Sequence, residues 1–337
     1  MEHLIEYGMF AAKLLTVTAA IVISIFAIIA FSFAKSQLSG ADERIEVKKL
    51  NDKFHNMGMT LKSALLSDKA FKSEIKQEKK KQKSESKNPD SERKRIFVCE
   101  FSGDIKASAV DSLREEISAI LAVAEGDDEV VALIESPGGT VHGYGLAASQ
   151  LARLKKKNIK LTAAVDKVAA SGGYMMACVA DQIIAAPFAI IGSIGVVAQL
   201  PNFNRLLKQH NIDFEEVTAG EYKRTLTVFG ENTDEDRAKF KEELEDAHAL
   251  FKDFISEHRP SVDIEKIATG EHWFATRAQE LNLVDELITS DDYLFSASEE
   301  KDIYQVSFHR KKPVFEKFIS GSSRMFLRLV EAINRAV

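Results

Sequence analysis

Val130-Val131-Ala132-Leu133-Ile134 runs without a break into Glu135-Ser136-Pro137-Gly138-Gly139. Five consecutive apolar residues without polar alternation fit a strand covered on both faces, and such strands belong to parallel sheets. The Ser-Pro-Gly-Gly that follows sits at the carboxyl end of that strand, where open parallel sheets gather their sites. Outward from this stretch, residues 96–101 read as an earlier strand, turned by Ser102-Gly103-Asp104. Residues 110–123 read as a helix with Val110, Leu113, Ile117, Ile120 and Leu121 on one face. Beyond the turn come a helix over about 144–155, a strand over 161–165, an elbow at Ser171, a helix through 179 and a strand over 183–186. This alternation predicts an α/β domain with a mostly parallel sheet. A long, charged, amphipathic helix over about 235–257 follows.

The elbow is Ala169-Ala170-Ser171-Gly172-Gly173-Tyr174. A serine among small residues, between a strand and an apolar helix, presents its hydroxyl at a sharp turn. That oxygen is a weak nucleophile until a base takes its proton. The base on offer is Lys223, in Ala219-Gly220-Glu221-Tyr222-Lys223. An ordinary lysine, with a pKa of about 10.4, is protonated at neutral pH, so this role requires desolvation of the ammonium. Leu226, Val228 and Phe229 supply apolar cover nearby. Taken in isolation, Lys223 would read as a surface lysine and Pro-Gly-Gly as a plain turn. With the elbow downstream, Gly138 and Gly139 instead become glycines that aim a backbone N–H outward, and Gly172 N–H is a natural second donor. Acyl transfer needs such donors because the tetrahedral intermediate puts negative charge on the former carbonyl oxygen.

Other candidates read more plainly. His142 follows the turn but has no carboxylate motif beside it, so it reads as a surface or substrate-rim residue. His272-Trp273 reads as a packing corner. The histidines are scattered without ligand spacing, so neither metal nor cofactor is expected. A net charge of −6 argues against a nucleic-acid partner, which calls for a basic face. Cys99 and Cys178 lie in apolar segments and read as buried, reduced thiols rather than a disulfide.

The front of the chain has a different character. Residues 14–34 carry no charge and are bracketed by Lys13 and Lys35. At about 1.5 Å per residue such a helix spans roughly 30 Å, a bilayer core. The run is too long for a signal-peptide core, and the preceding residues hold Glu2 and Glu6 but no basic group. A retained membrane anchor within segment 1–35 is therefore expected. Region 36–75 reads as helical, with Leu50, Phe54, Met57, Leu61 and Leu65 forming one apolar stripe. Residues 76–95 are strongly charged and read as a solvated linker. The catalytic domain is expected over 96–290, with a C-terminal extension over 291–337.

Four motifs in order carry a family resemblance: Glu-Ser-Pro-Gly-Gly at 135–139, Ala-Ala-Ser-Gly-Gly-Tyr at 169–174, Ile-Gly-Ser-Ile-Gly-Val at 191–196 and Gly-Glu-Tyr-Lys at 220–223. The chain resembles the S49 serine proteases (the signal peptide peptidase A family), and in its anchor, helical region and charged linker their shorter membrane-anchored members. The resemblance implies Ser171 as nucleophile, Lys223 as general base, backbone donors at Gly139, Gly138 and Gly172, and Ser193 as the hydroxyl that orients the lysine. It implies a Clp-protease/crotonase-like spiral of β-β-α units, and peptide substrates such as unfolded polypeptides or remnant signal peptides. It also implies a homo-oligomeric ring in which serine and lysine come from neighbouring subunits. Glu135 departs from the family's commoner asparagine. Two rival readings share parts of this pattern: a crotonase-type acyl-CoA enzyme, and a catalytically silent membrane scaffold. Flanking charge (Lys13 before the anchor, Lys35, Arg44, Lys48 and Lys49 after it) argues for a cytoplasmic soluble domain, against the resemblance, and leaves the side of the membrane open. The family's better-known members face the periplasm.

Overall fold

The computed structural model of the chain describes residues 44–85 and 93–309, with isolated positions 13, 15–18 and 24 before them. Contacts divide the chain into a compact unit over Ile45–Ser307 and a second unit made of Met1–Arg44 and Phe308–Val337. The second unit lies almost wholly outside the described residues, and the expected anchor over 14–34 falls there. Among the described residues no helix is long and apolar enough to cross a membrane.

Among the described residues the main sheet has seven strands. In sheet order they are β1 (Arg44–Lys49), β10 (Asp302–His309), β2 (Arg95–Ser102), β3 (Glu129–Glu135), β4 (Lys160–Val165), β6 (Gln182–Ala185) and β9 (Glu286–Leu287). From β10 to β9 every pairing is parallel. A smaller sheet holds β5 (Val168–Ala170), β7 (Ile190–Gly192) and β8 (His272–Phe274), with β5 and β7 parallel and β8 antiparallel. An isolated bridge from Ser136 to Ala169 joins the two.

Side-chain alternation along the strands builds two cores. Phe97, Cys99, Phe101, Val130, Ala132, Ile134, Leu161, Ala163 and Val165 enter the larger one. It is packed by α3 (Val110–Val123), α4 (Val141–Lys155), α5 (Gly172–Ala177) and α7 (Asp234–His258). Ile96, Val98, Val131, Ala164 and Ile184 enter the smaller core, with Leu50 of α1 (Leu50–Leu65) and Leu294 of α10 (Ser290–Ala297). Helices α2 (Asp68–Glu85), α6 (Asn204–Gln209), α8 (Ile264–Ile267) and α9 (Ala275–Glu280) complete the order. Both cysteines are buried and unpaired.

The mixed α/β architecture is the one expected, and helix 110–123 falls where the sequence placed it. Three features differ. The main sheet extends past residue 290: β10 pairs with β2, and Asn51 fastens α1 to this added strand by accepting from Ile303 N–H (2.7 Å) and donating to Lys301 O (2.9 Å). The first part of the charged segment 76–95 is helical, because α2 runs to Glu85. Lysine, glutamine and glutamate favour helix without needing a buried face. The apolar stripe on α1 packs only over its first turns, where Leu50 is buried and Phe54 lies against the smaller core; Met57, Leu61 and Leu65 are exposed.

At the amino ends of the strands, Glu129 is buried beneath α10. Its carboxylate accepts from Thr162 (2.7 Å), Tyr293 (2.5 Å) and Lys301 (2.8 Å), with Lys160 Nζ at 3.2 Å. Burial alone would raise its pKa, but the bonds from Lys301, Tyr293 and Thr162 and the charge of Lys160 outweigh it, holding the group at about 2 against an ordinary 4.5. A depressed carboxylate stabilises fully above its unfolded pKa and loses that contribution as pH falls through the folded value. The E129Q variant should be less stable by about 2–3 kcal/mol at pH 7. Its urea-unfolding free energy should also decline less steeply than wild type between pH 4.5 and 2; parallel declines would exclude Glu129 as the responsible group.

Candidate active site

Ser171 leaves β5 at φ 52°, ψ −118°, a conformation that L residues adopt only under constraint. The constraint comes from both sides. Ala170 N–H donates to Ser136 O (3.0 Å), and Ser171 N–H donates to Gly192 O (2.7 Å). Helix α5 begins at the next residue, so the chain turns from strand to helix within one peptide and leaves Ser171 half-buried. This is the elbow that its small neighbours predict.

The Ser-Pro-Gly-Gly turn lies directly against the elbow. Gly138 has φ +91°, and a Cβ there would stand 2.7 Å from Ser171 Cβ and 2.9 Å from Gly172 N. Only glycine satisfies both the dihedral and the approach. Gly138 N–H donates to Ser136 Oγ (3.1 Å). Neither Gly139 N–H nor Gly172 N–H has a protein partner among the described residues. Of the two turn glycines, it is thus Gly139 whose N–H remains available. Gly172 itself is pressed onto Tyr144, whose ring atoms occupy the space a Cβ would need.

An apolar cavity of about 90 Å³ opens beside Ser171 and Gly139. Val141, Met175, Val196, Val197, Ala247 and Phe251 line it. The last two come from α7, which starts in a capping box between Thr233 and Asp236 and carries Arg259 at its end. Arg259 is buried and grips Asp285 through two bonds of 2.9 and 2.7 Å, which fixes this wall against the strand end before β9.

Ser193 is brought to the site. Ala170 pairs with Gly192 across parallel strands, so Ser171 and Ser193 leave neighbouring strands at the same level, about 5 Å apart in backbone terms. Ser193 also has a positive φ, 54°, and its N–H donates to Glu271 O (2.6 Å). Lys223 neither lines the cavity beside Ser171 nor bonds to Ser171 or Ser193 among the described residues. It is exposed, its backbone closes a turn onto Gly220 O (3.2 Å), and its side chain has no polar partner among the described residues. His142 is exposed on the first turn of α4, while the Trp273 ring packs against Gly192. Glu135 pairs with Lys167 at 2.8 Å on the surface.

Nothing in the sequence pairs Ser136 with Tyr144. Both side chains are fully buried under the turn, and Ser136 Oγ lies 2.5 Å from Tyr144 Oη. The only available signal was a polar residue closing an otherwise apolar strand.

The dihedrals of Ser171 mirror those of a relaxed extended residue, which glycine alone accepts without cost. Ser171→Gly should therefore raise unfolding stability by about 1 kcal/mol while abolishing any chemistry that uses the hydroxyl. Thermal and urea denaturation of the variant check this, and a loss of stability would show that the elbow is not strained.

The family description "Peptidase family S49 N-terminal" matches residues 2–151, and "Peptidase family S49" matches residues 153–304. A relative from Haemophilus influenzae named "Probable protease SohB" is 50% identical over 328 residues, 94% of this chain and 92% of that protein. Another "Probable protease SohB", from Buchnera aphidicola subsp. Acyrthosiphon pisum, is 59% identical over 229 residues, 68% of each chain. Among solved structures, a membrane-bound stomatin-specific protease aligns with TM-score 0.40 and 12% identity, covering 61% of this chain and 84% of that one. The sequence relatives do not favour an acyl-CoA enzyme or a silent scaffold. With half of its residues identical to one such relative along nearly its whole length, the chain belongs to peptidase family S49 and is a serine protease.

Proposed function

We propose that the protein is a membrane-anchored endopeptidase in which Ser171 is the nucleophile and Lys223 the general base. The observation that carries this reading is the strained Ser171 at the lip of an apolar cavity, with the Gly138–Gly139 turn held against it. Ser171 Oγ adds to the peptide carbonyl carbon as its proton passes to Lys223 Nζ. The negative oxygen is met by Gly139 N–H and Gly172 N–H. The C–N bond then breaks, the leaving amine takes the proton from Lys223, and water hydrolyses the acyl-serine by the same relay. The Ser193 hydroxyl orients the lysine. The cavity takes a small to medium aliphatic side chain, since it is narrow and presents no charged group. Unfolded polypeptides or remnant signal peptides, rich in such residues, are the substrates.

A lysine acts as base only when its ammonium is desolvated. The segment around Lys223 is open to solvent and unusually apolar: Val217 is 95% exposed, and Val197, Leu206, Ile212, Tyr222 and Phe229 are exposed as well. This composition supports a homo-oligomeric ring in which the segment docks on a second copy and delivers Lys223 to that copy's Ser171. The uncharged stretch 14–34 anchors each chain to the bilayer. Its flanking charges favour a cytoplasmic catalytic domain over the periplasmic placement of the better-known relatives.

Ser171→Ala and Lys223→Ala should each abolish peptide hydrolysis from pH 6 to 10. Mixing the two inactive proteins under conditions of subunit exchange should restore activity that neither has alone. No recovery in demonstrably mixed oligomers would place both groups in one chain, and a surviving rate in either single variant would sink the dyad.

A further inference from the structure

A directed chain of hydrogen bonds runs beneath the Ser-Pro-Gly-Gly turn. Gly138 N–H donates to Ser136 Oγ (3.1 Å), Ser136 Oγ lies 2.5 Å from Tyr144 Oη, and Tyr144 donates to the Asp104 carbonyl (2.8 Å). The carbonyl can only accept, so the single phenolic proton is committed to it. The Ser136 proton must therefore point at the Tyr144 oxygen, which turns a Ser136 lone pair toward Gly138 N–H. Each proton in the series has one acceptor, so the series has one direction.

The two hydroxyls of the relay are buried and held from both sides. Ser136 and Tyr144 have no exposed surface, and Gly103 packs so closely over them that a Cβ there would collide with both hydroxyl oxygens. In such surroundings bonds in series reinforce one another. Ser136 is also bound through its backbone to the strand that carries the nucleophile: its N–H donates to Val168 O (2.8 Å) and its carbonyl accepts from Ala170 N–H (3.0 Å). Tyr144 lies against Gly172, the residue after the nucleophile. Burial pushes the phenol pKa up, outweighing the lowering by the Ser136 bond, and so favours the protonated form that the relay requires.

We infer that Ser136 and Tyr144 are positioning residues for catalysis, which lock Gly138 in its left-handed conformation so that Gly139 N–H, and not Gly138 N–H, faces the oxyanion formed at Ser171. This rests on the reading of Gly139 and Gly172 as the oxyanion donors. Neither side chain touches the reacting atoms. Their effect is on the aim of a donor whose strength depends on being fixed before charge develops.

The test uses the full-length protein, with active sites counted by a serine-reactive phosphonate. Tyr144→Phe keeps the ring on Gly172 and removes only the hydroxyl; Ser136→Ala removes the acceptor of Gly138 N–H. Each should lower kcat roughly 10- to 100-fold with KM within about twofold, since a misaimed donor is felt only in the transition state. Affinity for a peptide boronate, whose serine adduct is tetrahedral, should fall by a similar factor, while affinity for a product peptide holds. The double variant should be no worse than Ser136→Ala alone, because the two act in series. Thr162→Val, a buried hydroxyl lost at the far end of the sheet, should lower the melting temperature and leave kcat unchanged. Wild-type kcat in folded Tyr144→Phe, a loss confined to KM, multiplicative losses in the double variant, or an equal kcat loss in Thr162→Val would each overturn the inference. Hydrolysis surviving in Ser171→Ala would instead overturn the reading beneath it.

Discussion

Two backbone hydrogen bonds, Ala170 N–H to Ser136 O and Ser171 N–H to Gly192 O, determine where everything else in the site can be. They place the strand that carries Ser171 between the turn that ends β3 and the turn that ends β7. Three consecutive strand ends then meet at one level, and each contributes a backbone feature that its own sequence supplies. The Gly138–Gly139 turn offers a donor, the Ser171 elbow a hydroxyl, and Gly192-Ser193 a second hydroxyl beside it. Because the pairings are parallel, all three ends point the same way, and a shift by one residue in any strand would turn a site residue into the core.

Such convergence has an energetic consequence. Gly138, Ser171, Gly192 and Ser193 all have positive φ, and at the two serines this costs of order 1–3 kcal/mol each. The elements around them offset that cost. Ala169, Tyr174 and Ile191 flank the strained residues and are fully buried, and large apolar side chains contribute about 1.5–3 kcal/mol apiece on burial. The site is therefore tense in its backbone and rigid in its surroundings, the combination that keeps a donor aimed before charge appears. It also explains why the strand ends are glycine and serine while the strands themselves are apolar.

The parts of this arrangement that could be read from the chain are those with a repeating pattern or a short-range turn chemistry. Strands β2, β3, β4 and β6 are apolar runs, α3 has a helical stripe, and the elbow is a serine among small residues. Strands β7 and β8 are three residues long and β9 two, too short for any period to register. Strand β10 escapes for another reason: only Ile303 and Val306 are buried along it, a spacing that does not alternate. The Ser136–Tyr144 contact was illegible in principle. A serine at a strand end reads as turn chemistry, and a tyrosine in the first turn of a helix reads as core; only the folded geometry puts their oxygens together.

Lys223 presents the opposite case, a residue legible by motif whose surroundings within one chain do not suit the role. Residues 197–224 lie between the cavity wall at Val196 and helix α7, and contribute only α6 to the order of elements. Nearly all of residues 197–224 are exposed, although they include valines, leucines and phenylalanines that would be buried in a self-sufficient domain. A chain that needed no partner would gain by making this surface polar. A chain whose base must be stripped of water gains more by keeping it apolar, because covering it removes solvent from the lysine at the same moment as it positions it. In the proposed ring, docking and activation of the base would be one event. In the proposed dyad, the serine half is fixed by the sheet of each chain, while the lysine half would be completed by the surface that covers it.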